Sequence, residues 1–257
     1  MIPILSRGLL FGDSAGRETA ATGLGDVIEL TATRFLAGPL IVIMTGPLLR
    51  IVGDRNPSNV KIAILKTLGK VLVKGGPALR AFVPQFQTTF VKALADPSRQ
   101  VRMEAIHALS LLMPLSTRVD PLIKDLVAGS LGKNNVADGV GAAVVQTATL
   151  QALAVVLEKG GSKSKAPENI QAALDATIEL FGATDAGIRE GAGKAMGAAC
   201  GLLGKERAEA LMNDTVLPEA DSDASSDRHG AACAIHYIMA SSVGPELQHI
   251  APTLQTV

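Results

Sequence analysis

The stretch FVPQFQTTFVKALADPSRQVRMEAIHALSLLM, Phe82 to Met113, decides the fold. Phe82, Phe86, Phe90 and Leu94 recur every fourth residue and so share one side of a helix; Val101, Ala105, Ala108 and Leu112 make a second such face. Between them, Asp96-Pro97-Ser98 carries turn chemistry: proline fixes φ near a helix start, while Asp and Ser accept hydrogen bonds from unpaired amides. The spacing predicts a helical hairpin. Neither helix hides its apolar stripe within so small a piece, so the hairpin needs neighbours.

Neighbours of the same kind recur. Asp96 and Val101-Arg102 have upstream counterparts in Asp54 and Val60-Lys61, about 41 residues earlier, the period of a HEAT or armadillo unit. GDSAGRETAATGLGDVIEL supplies Asp13 and Arg17, TDAGIREGAGKAMGAACGLL supplies Asp185 and Ile188-Arg189, and DASSDRHGAACAIHYIM supplies Asp223, Asp227 and Arg228. VDPLIKDLVAGSL with VVQTATLQALAVVLEKG reads as a degenerate unit lacking the basic residue. The expectation is an all-α superhelix of HEAT/ARM type with about six hairpin repeats, right-handed and elongated. The approximate repeats are 1–32, 36–76, 78–116, 119–160, 167–204 and 205–243, with 244–257 opening a further one. Lacking evident capping repeats, the chain reads as a fragment of a longer array.

Composition agrees. Hydrophobic residues make up 47%, enough for a large core, yet aromatics are 3% and tryptophan is absent, which suits closely stacked helices better than a sheet sandwich. Cys200 and Cys233 give no disulfide framework, making a reducing, cytoplasmic location the default. No apolar run reaches the length of a membrane span, and MIPILSRGLLFG shows no small-residue cleavage site of a signal peptide.

Taken with TGPLLRIVGDRNPSNVKIAILKTLGKVLVKGG, VDPLIKDLVAGSL and DRHGAACAIHYIM, the opening stretch resembles the C-terminal HEAT-repeat region of the giant translational activators of general amino-acid control. The resemblance rests on the GPL-R-GDR and P-Q-QTTF-KAL-D patterns and covers nearly the whole chain, more weakly over the first forty residues and the degenerate unit. It implies a non-catalytic scaffold that reaches the ribosome through its parent protein. It also implies a contact with the RWD domain of the kinase that phosphorylates the alpha subunit of initiation factor 2 during starvation. No small-molecule substrate and no cofactor follow from it.

Charge supplies an independent route. Formal net charge is zero, yet residues 50–102 carry +8 and residues 119–257 carry −7. Lys66, Lys70 and Lys74 are spaced by four, away from Val60, Ile64, Leu68 and Val71, and form a candidate partner-binding row; an ordinary solvated face is the alternative. Arg99 and Arg102 complete the candidate set. Arg102, with Asp96, Asp185 and Arg189, is also expected in a ladder joining turn carboxylates to the basic residues that open second helices. Arg99 has no such obligation and is the better contact. The +8 segment suits RNA phosphates as well, giving possible rRNA contact, though no aromatic is interleaved for base stacking.

Metal and nucleotide chemistry lack a complete set of residues in this sequence. His229, Cys233 and His236 share a helical face, but three ligands from one helix rarely close a zinc site and Cys200 would have to be the fourth. None of His107, His229, His236 or His249 is followed by Glu, as a His-Glu iron site would need. GIREGAGKAMGAACG lacks the glycine six residues before Lys194 and a following Ser or Thr, so it is no phosphate loop. Small residues that let helices approach explain it better.

Overall fold

The computed structural model describes residues 1–36, 39–53, 55–133 and 141–250. Asp54 and residues 251–257 of the expected further repeat lie outside them. The described residues are helical and contain no strand. The chain divides into two compact units, Met1–Ser116 and Thr117–Val257.

Unit 1 is built from α1 (Ile2–Phe11), α2 (Ser14–Leu30), α3 (Thr33–Leu36), α4 (Pro39–Ile51), α5 (Ser58–Gly75), α6 (Val83–Ala93) and α7 (Arg99–Leu112), with the 3-10 helix Gly76–Phe82 leading into α6. Helices α1/α2, α4/α5 and α6/α7 pair as hairpins, and the second helices stack α2 on α5 on α7. Every apolar position expected on α7, Val101, Ala105, Ala108 and Leu112, is buried. On the first helix of that hairpin Phe86, Phe90 and Leu94 are buried and Phe82 is half-buried, with the Phe86 and Phe90 rings stacked 5.6 Å apart. Fully burying such side chains is worth about 1.5–3 kcal/mol each, and here the burial depends on the neighbouring helices. A buried hydrogen bond from Thr67 Oγ1 to the Ala21 carbonyl, 2.8 Å, joins α5 to α2.

Unit 2 continues with α8 (Asp120–Ser130), α9 (Ala142–Gly160), α10 (Pro167–Glu179), α11 (Ala186–Leu203), α12 (Lys205–Leu211), α13 (Leu217–Ala220) and α14 (Ser225–Ala240). One π-helical turn, Met212–Val216, joins α12 to α13 just before Pro218. Helices α8/α9 and α10/α11 pair, α13 pairs with α14, and α9, α11 and α14 stack as second helices.

The glycines of the 187–201 stretch explain the closeness of the last stack. A Cβ on Gly193 would lie 2.7 Å from the Cys233 carbonyl carbon, and one on Gly197 would lie 2.5 Å from the Tyr237 carbonyl. These glycines are contact points between α11 and the α14 backbone, as small residues are in tightly packed helix pairs.

Candidate partner-binding surface

The surface begins with α5. Its apolar positions Val60, Ile64, Leu68 and Val71 are buried, which turns Lys66, Lys70 and Lys74 toward the outer side of the second-helix stack. Their heads differ in freedom. Lys66 keeps 59% of its side chain exposed and stands 3.8 Å from Glu104 on α7, a loose pair. Lys70 lies 2.7 Å from Glu29 and 3.4 Å from Asp26, both on α2. That hydrogen bond pulls the Glu29 carboxyl below its ordinary range and raises the Lys70 ammonium. Lys74 donates to the carbonyls of Glu29 and Thr31, where α2 ends and its last carbonyls lack helical partners. The row therefore bridges α2, α5 and α7 as well as facing outward.

The turn residues build the expected ladder in part: Asp96 takes its place in it, while Arg102, Arg189 and Asp185 bond within their own turns. Lys61, opening α5, reaches Asp96 in the next hairpin's turn at 2.7 Å. Arg102 instead turns back: its Nη1 donates to the carbonyls of Asp96 at 2.7 Å and Pro97 at 2.9 Å. Arg189 does the same to Ala183 and Thr184, and Arg228 to Ser222 and Asp223. In all three the same nitrogen spans the carbonyls five and six residues upstream, which lie in the turn between the two helices. Burial lowers the Arg102 pKa, against the opposing pull of Asp96. Asp185 caps α11 by accepting from Gly187 and Ile188 amides at 2.8 and 3.2 Å.

Arg99 is exposed and has no hydrogen-bond or ion-pair partner among the described residues. Arg50, Arg55 and Lys92 share that condition and belong to no helical row of cations. Their only sequence signal is the excess of positive charge over residues 50–102.

The His-Cys face of α14 is otherwise engaged. Arg189 Nε donates to His229 Nδ1 at 3.1 Å, so the lone pair nearest Cys233 Sγ, 3.8 Å away, is occupied. His236 meets Tyr237 edge-on. Burial pushes the Cys233 thiol up, and Cys200 up to about 12, which keeps both protonated. Among the described residues no three His, Cys, Asp or Glu side chains converge on a point that would hold an ion, and no helix is long and apolar enough to cross a membrane.

Residues 120–247 match the family described as stalled ribosome sensor GCN1-like, HEAT repeats. The chain is 36% identical over 237 residues to the human stalled ribosome sensor GCN1, a match covering 91% of this chain and 8% of that protein. It is 35% identical over 224 residues to the eIF-2-alpha kinase activator GCN1 of Saccharomyces cerevisiae, covering 87% of this chain and again 8% of the relative. The chain thus spans about 8% of the length of the curated relatives it matches. Among solved structures, yeast importin-beta aligns at 16% identity with a TM-score of 0.71, covering 99% of this chain and 32% of that one. A designed armadillo repeat protein aligns at 14% with a TM-score of 0.51, covering 93% and 100%. At these identities the structural likeness concerns the fold alone, an all-α repeat of HEAT/ARM type.

Proposed function

The chain belongs with the GCN1-like HEAT-repeat proteins, and from that premise we propose that it is a non-catalytic, cytoplasmic scaffold that binds the RWD domain of the initiation factor 2 alpha kinase. In this reading it promotes activation of the kinase on ribosomes during amino-acid starvation. The observation that carries it is the 35% identity, over most of the chain, to a yeast protein named as an activator of that kinase. The contact surface is the basic side of unit 1: Lys66, Lys70 and Lys74 on α5, with Arg99 and Arg102 opening α7. Lys66 and Arg99 offer open heads to an acidic partner, whereas Lys70, Lys74 and Arg102 contribute field while tied to neighbours.

Titration of the purified chain against the isolated RWD domain tests this. Lys66→Glu with Arg99→Glu should weaken the complex about tenfold or more, by lost attraction and new repulsion, with helicity unchanged. A folded double variant binding as tightly as the parent would remove these residues from the contact. A second reading, in which unit 1 touches RNA, is favoured by the unpartnered cations outside the lysine row.

A further inference from the structure

The turns of unit 1 form a continuous edge. Arg17 Nη1 donates to Asn56 Oδ1 at 2.8 Å, joining the start of α2 to the α4–α5 turn, and Lys61 reaches Asp96 at 2.7 Å, joining the start of α5 to the α6–α7 turn. Arg102 then closes the second of those turns on itself. Among the described residues the carboxylates of this edge are engaged locally: Asp96 takes Lys61 and the Ser98 amide, Asp13 caps α2 through the Gly16 amide, and Glu18 accepts from Asn59. Four cations on the edge remain exposed with no carboxylate partner among the described residues. They are Arg50 in the last turn of α4, Arg55 between α4 and α5, Lys92 in the last turn of α6, and Arg99 at the first residue of α7.

We propose that this edge is a second binding surface, meeting the first at Arg99, and that its ligand is the phosphate backbone of structured RNA. The inference rests on the second reading above and gives it a location. Three of the four groups are guanidinium forks, which match phosphate oxygens in pairs. The α4–α5 and α6–α7 turns, over residues 52–53, 55–57 and 94–98, carry no exposed large apolar side chain of the kind that anchors protein interfaces, whereas Phe11 is exposed where α1 ends. No aromatic stands among the cations to stack an unpaired base, which favours a double-helical backbone over a single strand. Lys70 and Lys74, by contrast, already spend their hydrogen bonds on α2.

Binding of a labelled RNA hairpin to the full chain, followed by anisotropy between about 50 and 200 mM salt, tests the assignment. Log affinity should fall linearly with log salt, and Arg50→Gln/Arg55→Gln/Lys92→Gln should flatten that slope by about 0.9 per contact removed. Lys66→Gln/Lys70→Gln/Lys74→Gln should leave the slope as it was. The proposal fails if the wild type does not bind at the lowest salt, or if the edge variant keeps the parental slope. It fails equally if poly-aspartate displaces the hairpin charge for charge, which would make the edge a site for acidic protein. Arg99 is left intact in the edge variant, and RWD binding is measured beside it. Retained RWD binding with lost RNA binding supports two surfaces, while lost RWD binding with retained RNA binding sinks the edge assignment and leaves the kinase reading standing.

Discussion

Lys61 Nζ sits 2.7 Å from Asp96 Oδ2, and the two side chains keep only 10% and 9% of their surface in water. The other oxygen of Asp96 accepts the Ser98 amide at 2.9 Å, so one carboxylate shapes its own turn and ties it to the neighbouring hairpin. Removing one member of a buried pair strands the other charge. Asp96→Ala should cost about 3–5 kcal/mol, and replacing both residues by apolar ones should recover most of it. Denaturant titration of the single and double variants decides this; a single variant as stable as the parent would show the pair to be inert.

Gly193 tests the close approach of α11 and α14. Within a helix, Gly→Ala ordinarily gains about 1 kcal/mol of propensity, but here the methyl would meet the Cys233 backbone at 2.7 Å. Overpacking of this kind costs about 1–3 kcal/mol, so Gly193→Ala should lower the melting temperature rather than raise it.

Asp120 sets an acid limit. It accepts from Ser164 Oγ, the Lys165 amide at 3.1 Å and Asn169 Nδ2 at 3.2 Å, and these bonds, with the Ser164 hydroxyl foremost, hold its pKa below the ordinary 3.8. A carboxyl depressed in the folded state stabilises above its unfolded pKa and loses that contribution as pH falls through the folded value. Melting temperature should therefore drop as pH is lowered below about 4, and Asp120→Asn should flatten that part of the profile. Parallel pH profiles for variant and parent would contradict the assignment.

Lys66 and Lys70 should part company in stability as well as in binding. Lys70→Glu would place a third carboxylate beside Asp26 and Glu29, whereas Lys66→Glu loses only a loose pair with Glu104. Exposed pairs contribute little each, so the first change, which adds repulsion from two carboxylates, should lower the melting temperature measurably and the second by no more than a fraction of that. Equal melting temperatures would mean that the α2–α5 bridges contribute nothing.

Much of the fold was legible because helix periodicity is local. The four-residue recurrence of Phe86, Phe90 and Leu94 named a buried face, and the Asp-Pro-Ser turn fixed where the chain reverses. The glycine-rich stretch was legible as a site of close approach, since only the absence of a side chain permits it. The open head of Arg99 was legible too, although the residue begins α7 rather than lying in the turn.

Partnership was not. Lys70 meets Asp26 across 44 residues of sequence, Lys61 meets Asp96 across 35, and Arg102 bonds carbonyls within its own turn rather than a neighbouring hairpin. A periodicity of 3.6 residues fixes the direction in which each lysine leaves its helix, and that much the sequence by itself determined. Whether a carboxylate or an open carbonyl waits there depends on the relative rotation and rise of helices packed about 8–10 Å apart, set by the interlock of whole apolar faces. Hence the tertiary structure alone decided which cations of the +8 segment are spent on the fold and which stay open to solvent.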